Sequence, residues 1–172
     1  MAVKLRAVYG EKRKILLVGN KTFPCVFGKA GVSNNKKEGD NKTPLGTMQL
    51  GTLYYRKDRF HPPPKTAFTP HAISKAHGWS DDISDPHYNE PVQLPHPFSH
   101  EPLWRNDHIY DALLTLTHNT TPKVSGNGSA IFLHLAQPDF SPTKGCLAVS
   151  QETMDYILKT TNPKTTLTIE EE

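Results

Sequence analysis

The sequence predicts a mainly β domain with one helix in its C-terminal half and a long irregular excursion in the middle. Three observations carry this. Short apolar segments of about five residues recur between glycine-containing turns. Nine of the 15 prolines lie between His61 and Pro102, which excludes a helical bundle along the chain. Only the stretch after Ser150 combines helical periodicity with a good N-cap. At 172 residues the chain is the size of one domain, read as 1–172 undivided.

The elements follow in order. Val3-Lys-Leu-Arg-Ala7 alternates with period two, Lys14–Val18 is a short buried run, and Phe23–Phe27 lies between Gly19-Asn20 and Gly28. One strand per roughly ten residues with glycine between predicts an antiparallel meander. Gly31–Asp40 is polar and loop-like, and Thr43-Pro-Leu-Gly46 turns into a strand over 47–55. Residues 61–102 show no sustained periodicity, and proline lacks a ladder donor, so this stretch is expected to stay out of a central sheet. Loops of this length in compact domains are lids or disordered. Phe68, Ile73, Trp79, Tyr88, Val92, Leu94 and Phe98 supply apolar anchors, so an ordered excursion is expected. Strand pattern resumes at 109–116 and, beyond Ser125-Gly-Asn-Gly128, at 130–136. Met154, Ile157 and Leu158 share one face of the helix predicted through Thr160, with Glu152 in its first turn. Thr165–Ile169 closes as a last alternating strand.

Composition narrows the function. Lys plus Arg is 20 against 17 acidic residues, a net charge of +3, and no basic cluster exceeds Lys12-Arg13-Lys14, so there is no nucleic-acid footprint. Apolar runs stop at about four residues, so no membrane-spanning helix is predicted. No apolar region follows Lys4 and Arg6, so the expectation is a chain without a secretory signal peptide, cytosolic or already trimmed. Six of the nine histidines fall within 61–102, which raises a zinc amidase or peptidase as one reading. His96 and His100 are four apart, but Pro97 opposes a regular helix there, and no HExxH pattern exists. For His61, His71, His77, His87 and His96 a solvated loop position is expected, and no metal or cofactor is called for.

The chemistry points to two residues. Alternation in Ile131-Phe-Leu-His-Leu-Ala136 puts Ile131, Leu133 and Leu135 on one face and Phe132, His134 and Ala136 on the other. Taken singly, His134 is more often a core histidine satisfied by a carbonyl, and Cys146 a small buried hydrophobe. Together, a strand histidine and a cysteine after Gly145, just ahead of a short apolar strand, make the constellation that activates a thiol. Cys25, in Thr-Phe-Pro-Cys-Val-Phe, is expected to be buried and inert.

These residues resemble the L,D-transpeptidase catalytic domain family of YkuD-like type. His134 followed by Thr143-Lys144-Gly145-Cys146-Leu147 matches its histidine and Ser/Thr-His-Gly-Cys pattern, with Lys144 in place of the second histidine. Gly39-Asp-Asn-Lys-Thr-Pro-Leu-Gly46 resembles its Thr-Pro-x-Gly turn, and 103–111 and 128–134 resemble segments of a proteobacterial branch. The resemblance implies a mixed β-sandwich in which 61–102 is a capping loop. It implies catalysis by Cys146 as nucleophile, His134 as base, backbone amides at Gly145 and Cys146 for the oxyanion, and Thr143 in the motif. Lys144, Trp104, Arg105, Tyr110 and His100 are the implied substrate contacts, and a backbone carbonyl or Asp139 would orient His134. The implied substrates are peptidoglycan stem peptides in the periplasm or cell envelope, with carbapenem-type β-lactams as covalent inhibitors. The outcomes left open are 3→3 cross-linking, 1→3 cross-linking, hydrolysis of the same thioester, and an inactive peptidoglycan-binding domain.

Overall fold

The computed structural model describes residues 3–62 and 64–172. Its strands are β1 (Leu5–Tyr9), β2 (Lys14–Val18), β3 (Lys21–Pro24), β4 (Val32–Ser33), β5 (Thr43–Pro44), β6 (Gly46–Tyr55) and β7 (Pro70–Ala72). There follow β8 (His77–Ser80), β9 (Pro91–Gln93), β10 (His100–Pro102), β11 (Ala112–Leu116), β12 (Phe132–Leu135) and β13 (Leu147–Val149). The helix α1 (Gln151–Thr160) and the strand β14 (Thr166–Glu171) complete the chain.

A nine-stranded mixed sheet runs β13-β12-β11-β6-β14-β1-β2-β3, with β7 added beside β6. The expected meander is present, since β1, β2 and β3 pair antiparallel. The expected strand over 23–27 is divided, however. Its first part pairs with β2, while Val26 turns to Ala148 of β13 through two backbone bonds of 2.8 and 3.0 Å. That exchange brings the two ends of the sheet together, so it is nearly closed.

Closure surrounds one core. Every long strand sends alternate residues inward, among them Leu5, Leu16, Leu50, Leu114, Leu133, Leu147 and Leu167. The helix fills the same space with Met154, Ile157 and Leu158, all fully buried. It starts where expected, with Ser150 Oγ accepting from the Thr153 amide at 3.2 Å.

The 61–102 stretch is ordered but is not simply a loop. β8, β9 and β10 form a small antiparallel sheet, and β7 pairs parallel with Leu53–Tyr55, at the edge of the large sheet. Prolines are accommodated because they stand at strand ends: Pro70 and Pro91 open β7 and β9, and Pro102 closes β10. Strands of three residues are too short to display alternation, hence the missing periodicity. His96 also departs from expectation. Its ring nitrogen bonds the buried Asp85 at 2.6 Å, and Ser80 Oγ donates to the same oxygen at 2.5 Å. A second core fastens this lid to the outer face of β11 and β12, joining Ile73, Trp79 and Leu103 to Tyr110, Leu113, Phe132 and Cys146. Trp79 meets Phe132 edge-on at 5.1 Å. Its indole donates to Asn89, whose same oxygen accepts from the Ala130 amide.

Packing rather than capping should dominate the helix. Leu158→Ala is expected to cost about 2–5 kcal/mol and Ser150→Ala about 1 kcal/mol in urea unfolding. Equal losses would contradict that ordering.

Candidate active site

The parallel register of β12 and β13 sets His134 opposite Ala148. Two residues earlier on that strand's approach, Cys146 falls on the same face and next to Phe132. The face partition expected from alternation is seen: Leu133 and Leu135 enter the main core, Phe132 and Cys146 the second one. Cys146 Sγ donates to the Ala130 carbonyl at 3.1 Å and accepts from the Phe132 amide at 3.3 Å. Ala130 is held at φ 51°, a left-handed conformation uncommon for a residue with a side chain. His134 and Cys146 both open onto a cavity of about 410 Å³. His134 Nδ1 bonds the Leu135 carbonyl at 2.8 Å, so a backbone carbonyl orients the ring. Asp139 is instead taken up by the Ser141 amide. With Nδ1 as donor, Nε2 is the basic nitrogen.

The Thr-Pro-x-Gly turn builds the wall behind Cys146. Thr43 Oγ1 accepts from the Gly28 amide at 2.8 Å, and Gly28 bridges to Thr143. A Cβ on Gly145 would stand 3.0 Å from the Lys42 carbonyl, and φ there is +143°, so only glycine fits. Thr143 Oγ1 donates to the Cys146 carbonyl at 2.6 Å and accepts from the Gly145 amide at 3.1 Å. The Gly145 amide is therefore already engaged. Asp40 collects the Lys37 and Lys42 amides and the ammonium of Lys36, whose buried side chain lines the cavity.

Among the other residues expected at substrate, Lys144, Arg105 and Tyr110 line the cavity. Lys144 is exposed, Arg105 is bidentate to Asp107 at 2.7 and 2.8 Å, and Tyr110 stands edge-on to His134 at 5.3 Å. Two of the expected residues stand elsewhere. His100 is not on the cavity wall, because β10 pairing turns it to Ser80 and its Nδ1 to the Phe98 carbonyl. Trp104 is also away from it, under the Arg56 guanidinium at 3.5 Å. Sequence reasoning missed Lys36, Glu38, Asp81 and Glu101, all of which line the cavity. Only Lys36 and Glu38 carried a signal, being next to the Gly39-Asp40 motif.

Both reactive groups rest uncharged. Burial pushes the Cys146 thiol up to about 12; the Phe132 amide opposes this, and the Glu101 carboxylate adds to it. The cation that favours its thiolate is Lys36 rather than Lys144. Burial likewise takes His134 down to about 4, against the pull of the Leu135 carbonyl. Cys25, also raised to about 12 by burial, is the enclosed thiol expected, and it does not line the cavity.

The β-rich fold thus sets an imidazole on β12 beside a thiol at the entry to β13, both opening onto one cavity. The chain matches the YkuD family, the L,D-transpeptidase catalytic domain, over residues 7–169, and it belongs to that family. No curated protein matches it. Among solved structures it is similar to the helical cell shape determining protein Pgp2 from Campylobacter jejuni (14% identity, TM-score 0.46), covering 99% of this chain and 49% of that one. It is similar also to an L,D-transpeptidase from Mycobacterium smegmatis (12%, TM-score 0.45), covering 98% and 59%. A third likeness is Bd1075 of Bdellovibrio bacteriovorus (17%, TM-score 0.48), covering 98% and 47%. The chain thus spans 47–59% of the length of these three.

Two measurements check the resting state. Thiolate absorbance should show no step near neutral pH; a step there would mean an ion pair at rest. His134 takes a proton at pH 6.5 when unfolded but only near 4 when folded, so its stabilisation is present above pH 6.5 and lost as pH falls towards 4. The loss is roughly 3 kcal/mol. His134→Gln should flatten that part of the melting-temperature profile.

Proposed function

We propose that the chain is a cysteine-dependent L,D-transpeptidase acting on peptidoglycan stem peptides in the cell envelope. The observation that carries this reading is the shared cavity of Cys146 and His134, with Nε2 left as the basic nitrogen. Because burial disfavours both ions, proton transfer accompanies attack rather than preceding it. Sγ forms a bond to the stem-peptide carbonyl carbon as its proton passes to His134 Nε2. The Cys146 amide, joined by that of Gly145 when it leaves Thr143 Oγ1, holds the oxyanion; losing such a donor typically costs about 10²–10³ in rate. The intermediate collapses with cleavage of the C–N bond. The leaving amine takes the proton from His134, and a thioester remains on Cys146. An amine from a second stem then resolves the thioester into a cross-link, or water hydrolyses it.

The family match supports the reaction class.

Mass spectrometry of disaccharide-tetrapeptides incubated with the protein is expected to find a thioester on Cys146 and dimers. Linkage through the diamino acids identifies 3→3 transfer, linkage through the first stem residue 1→3 transfer, and shortened monomers hydrolysis. Cys146→Ala should abolish the adduct and His134→Ala should slow it by about 10²–10⁴-fold. A carbapenem should acylate Cys146 alone. An adduct that persists in Cys146→Ala overturns the assignment.

A further inference from the structure

Glu101 is the middle residue of the short strand β10. It stands on β10 opposite Trp79 of β8 and lines the cavity that holds Cys146. Its Oε1 accepts from the Tyr110 hydroxyl at 3.1 Å and from Arg105 Nη1 at 3.3 Å. Those bonds fix the carboxylate, and Oε2 takes no donor from the described residues. Arg105 pairs with it through Nη1 but is also bidentate to Asp107 through Nε and Nη2, so one guanidinium is shared between two carboxylates. The other charged groups on the cavity wall are Asp81 and Glu38 on the acidic side and Lys36 and Lys144 on the basic side.

A fixed negative charge is an odd companion for a thiol that must become a thiolate. It acts in the same direction as burial and so hinders acylation. Arg105 already meets this carboxylate as a cation, but through Oε1 alone and while bound twice to Asp107, which leaves Oε2 to receive a second one. The second half of the reaction brings one. An alkylamine acceptor, with a pKa of ~10.4, arrives at neutral pH as an ammonium and cannot attack until it loses a proton. The thioester is uncharged, so the carboxylate costs nothing at that stage.

We propose that Glu101 is the acceptor-side catalytic residue, its Oε2 binding the ammonium of the incoming amine and taking its proton. The assignment rests on the thioester chemistry proposed above. One proton of the ammonium passes to Glu101. The freed lone pair forms the C–N bond at the thioester carbonyl carbon, and a second nitrogen proton goes to His134 Nε2. Collapse breaks the C–S bond, and the departing thiolate recovers that proton as the thiol. Glu101 releases its own proton to solvent through the cavity mouth, and the product keeps one amide hydrogen.

The test compares two acceptors on enzyme acylated by a disaccharide-tetrapeptide: ethylamine, cationic at neutral pH, and methoxyamine, which is uncharged. Mass spectrometry reads the ratio of aminolysis to hydrolysis. In Glu101→Gln the ratio should fall about 10²-fold for ethylamine and stay near the wild-type value for methoxyamine. Raising the pH should restore the ethylamine ratio in the variant, as free base replaces ammonium. In the wild-type protein the ethylamine ratio should rise less steeply than the roughly tenfold per pH unit that the free-amine fraction imposes. Equal losses for both acceptors, or no loss, would assign Glu101 to packing and overturn the proposal. A wild-type ratio that tracks the free-amine fraction overturns it without any variant. Failure of the wild-type protein to form a thioester overturns the transpeptidase reading and the assignment with it.

Discussion

The parallel pairing of β12 with β13 constrains the rest of the molecule. Parallel neighbours need a crossover, usually a dozen or more residues containing a helix. Here residues 136–146 make it as bare loop, with Phe140 at φ 53° and Gly145 at φ 143° to turn it. So short a connection has little backbone of its own to rest on. It is held from outside, by Thr143 bridging to Gly28 and by the Lys42 carbonyl against Gly145. A slip of β12 by one residue would send His134 into the main core and turn Leu133 and Leu135 out of it. The apolar faces of β12 and β13 are therefore what hold the reactive pair in place.

The second core adds an electrostatic consequence. By packing over Phe132 and Cys146, Trp79, Leu103 and Tyr110 take water away from the thiol. Burial then outweighs the nearby lysine, and the pair stays neutral. A neutral thiol is protected from adventitious alkylation and oxidation, which act on thiolates. The same low-polarity surroundings strengthen each hydrogen bond offered to a developing charge once substrate fills the cavity.

How much could be read from the chain alone depends on range. His134 and Cys146 stand out in the sequence because each sits in a local pattern: a polar ring in an apolar strand, and a cysteine between a glycine and an apolar run. The helix was legible for the same reason, down to its cap at Ser150. Val26 was not, because its partner Ala148 is remote in sequence and nothing local marks where β3 stops. Glu101 was hidden more thoroughly. It sits in a three-residue strand within a proline-rich stretch, beside His100, which looked more reactive; only the pairing of β10 with β8 decides which of the two meets the cavity. His96 looked solvated because its partner, Asp85, lies across a turn that composition does not reveal.

The order of strands carries a further consequence for how the protein is made. β14 lies between β1 and β6 and joins the N-terminal meander to the central ladder, while the bridge of Val26 to Ala148 joins it to β13 at the other end. The meander is therefore tied to the rest of the sheet through segments remote from it in sequence. Such long-range pairing slows folding, since loop-closure entropy is spent before any contact repays it. The loop carrying Cys146 leans on the end of the meander through Gly28 and Thr143, so Cys146 is placed only once that remote pairing has formed.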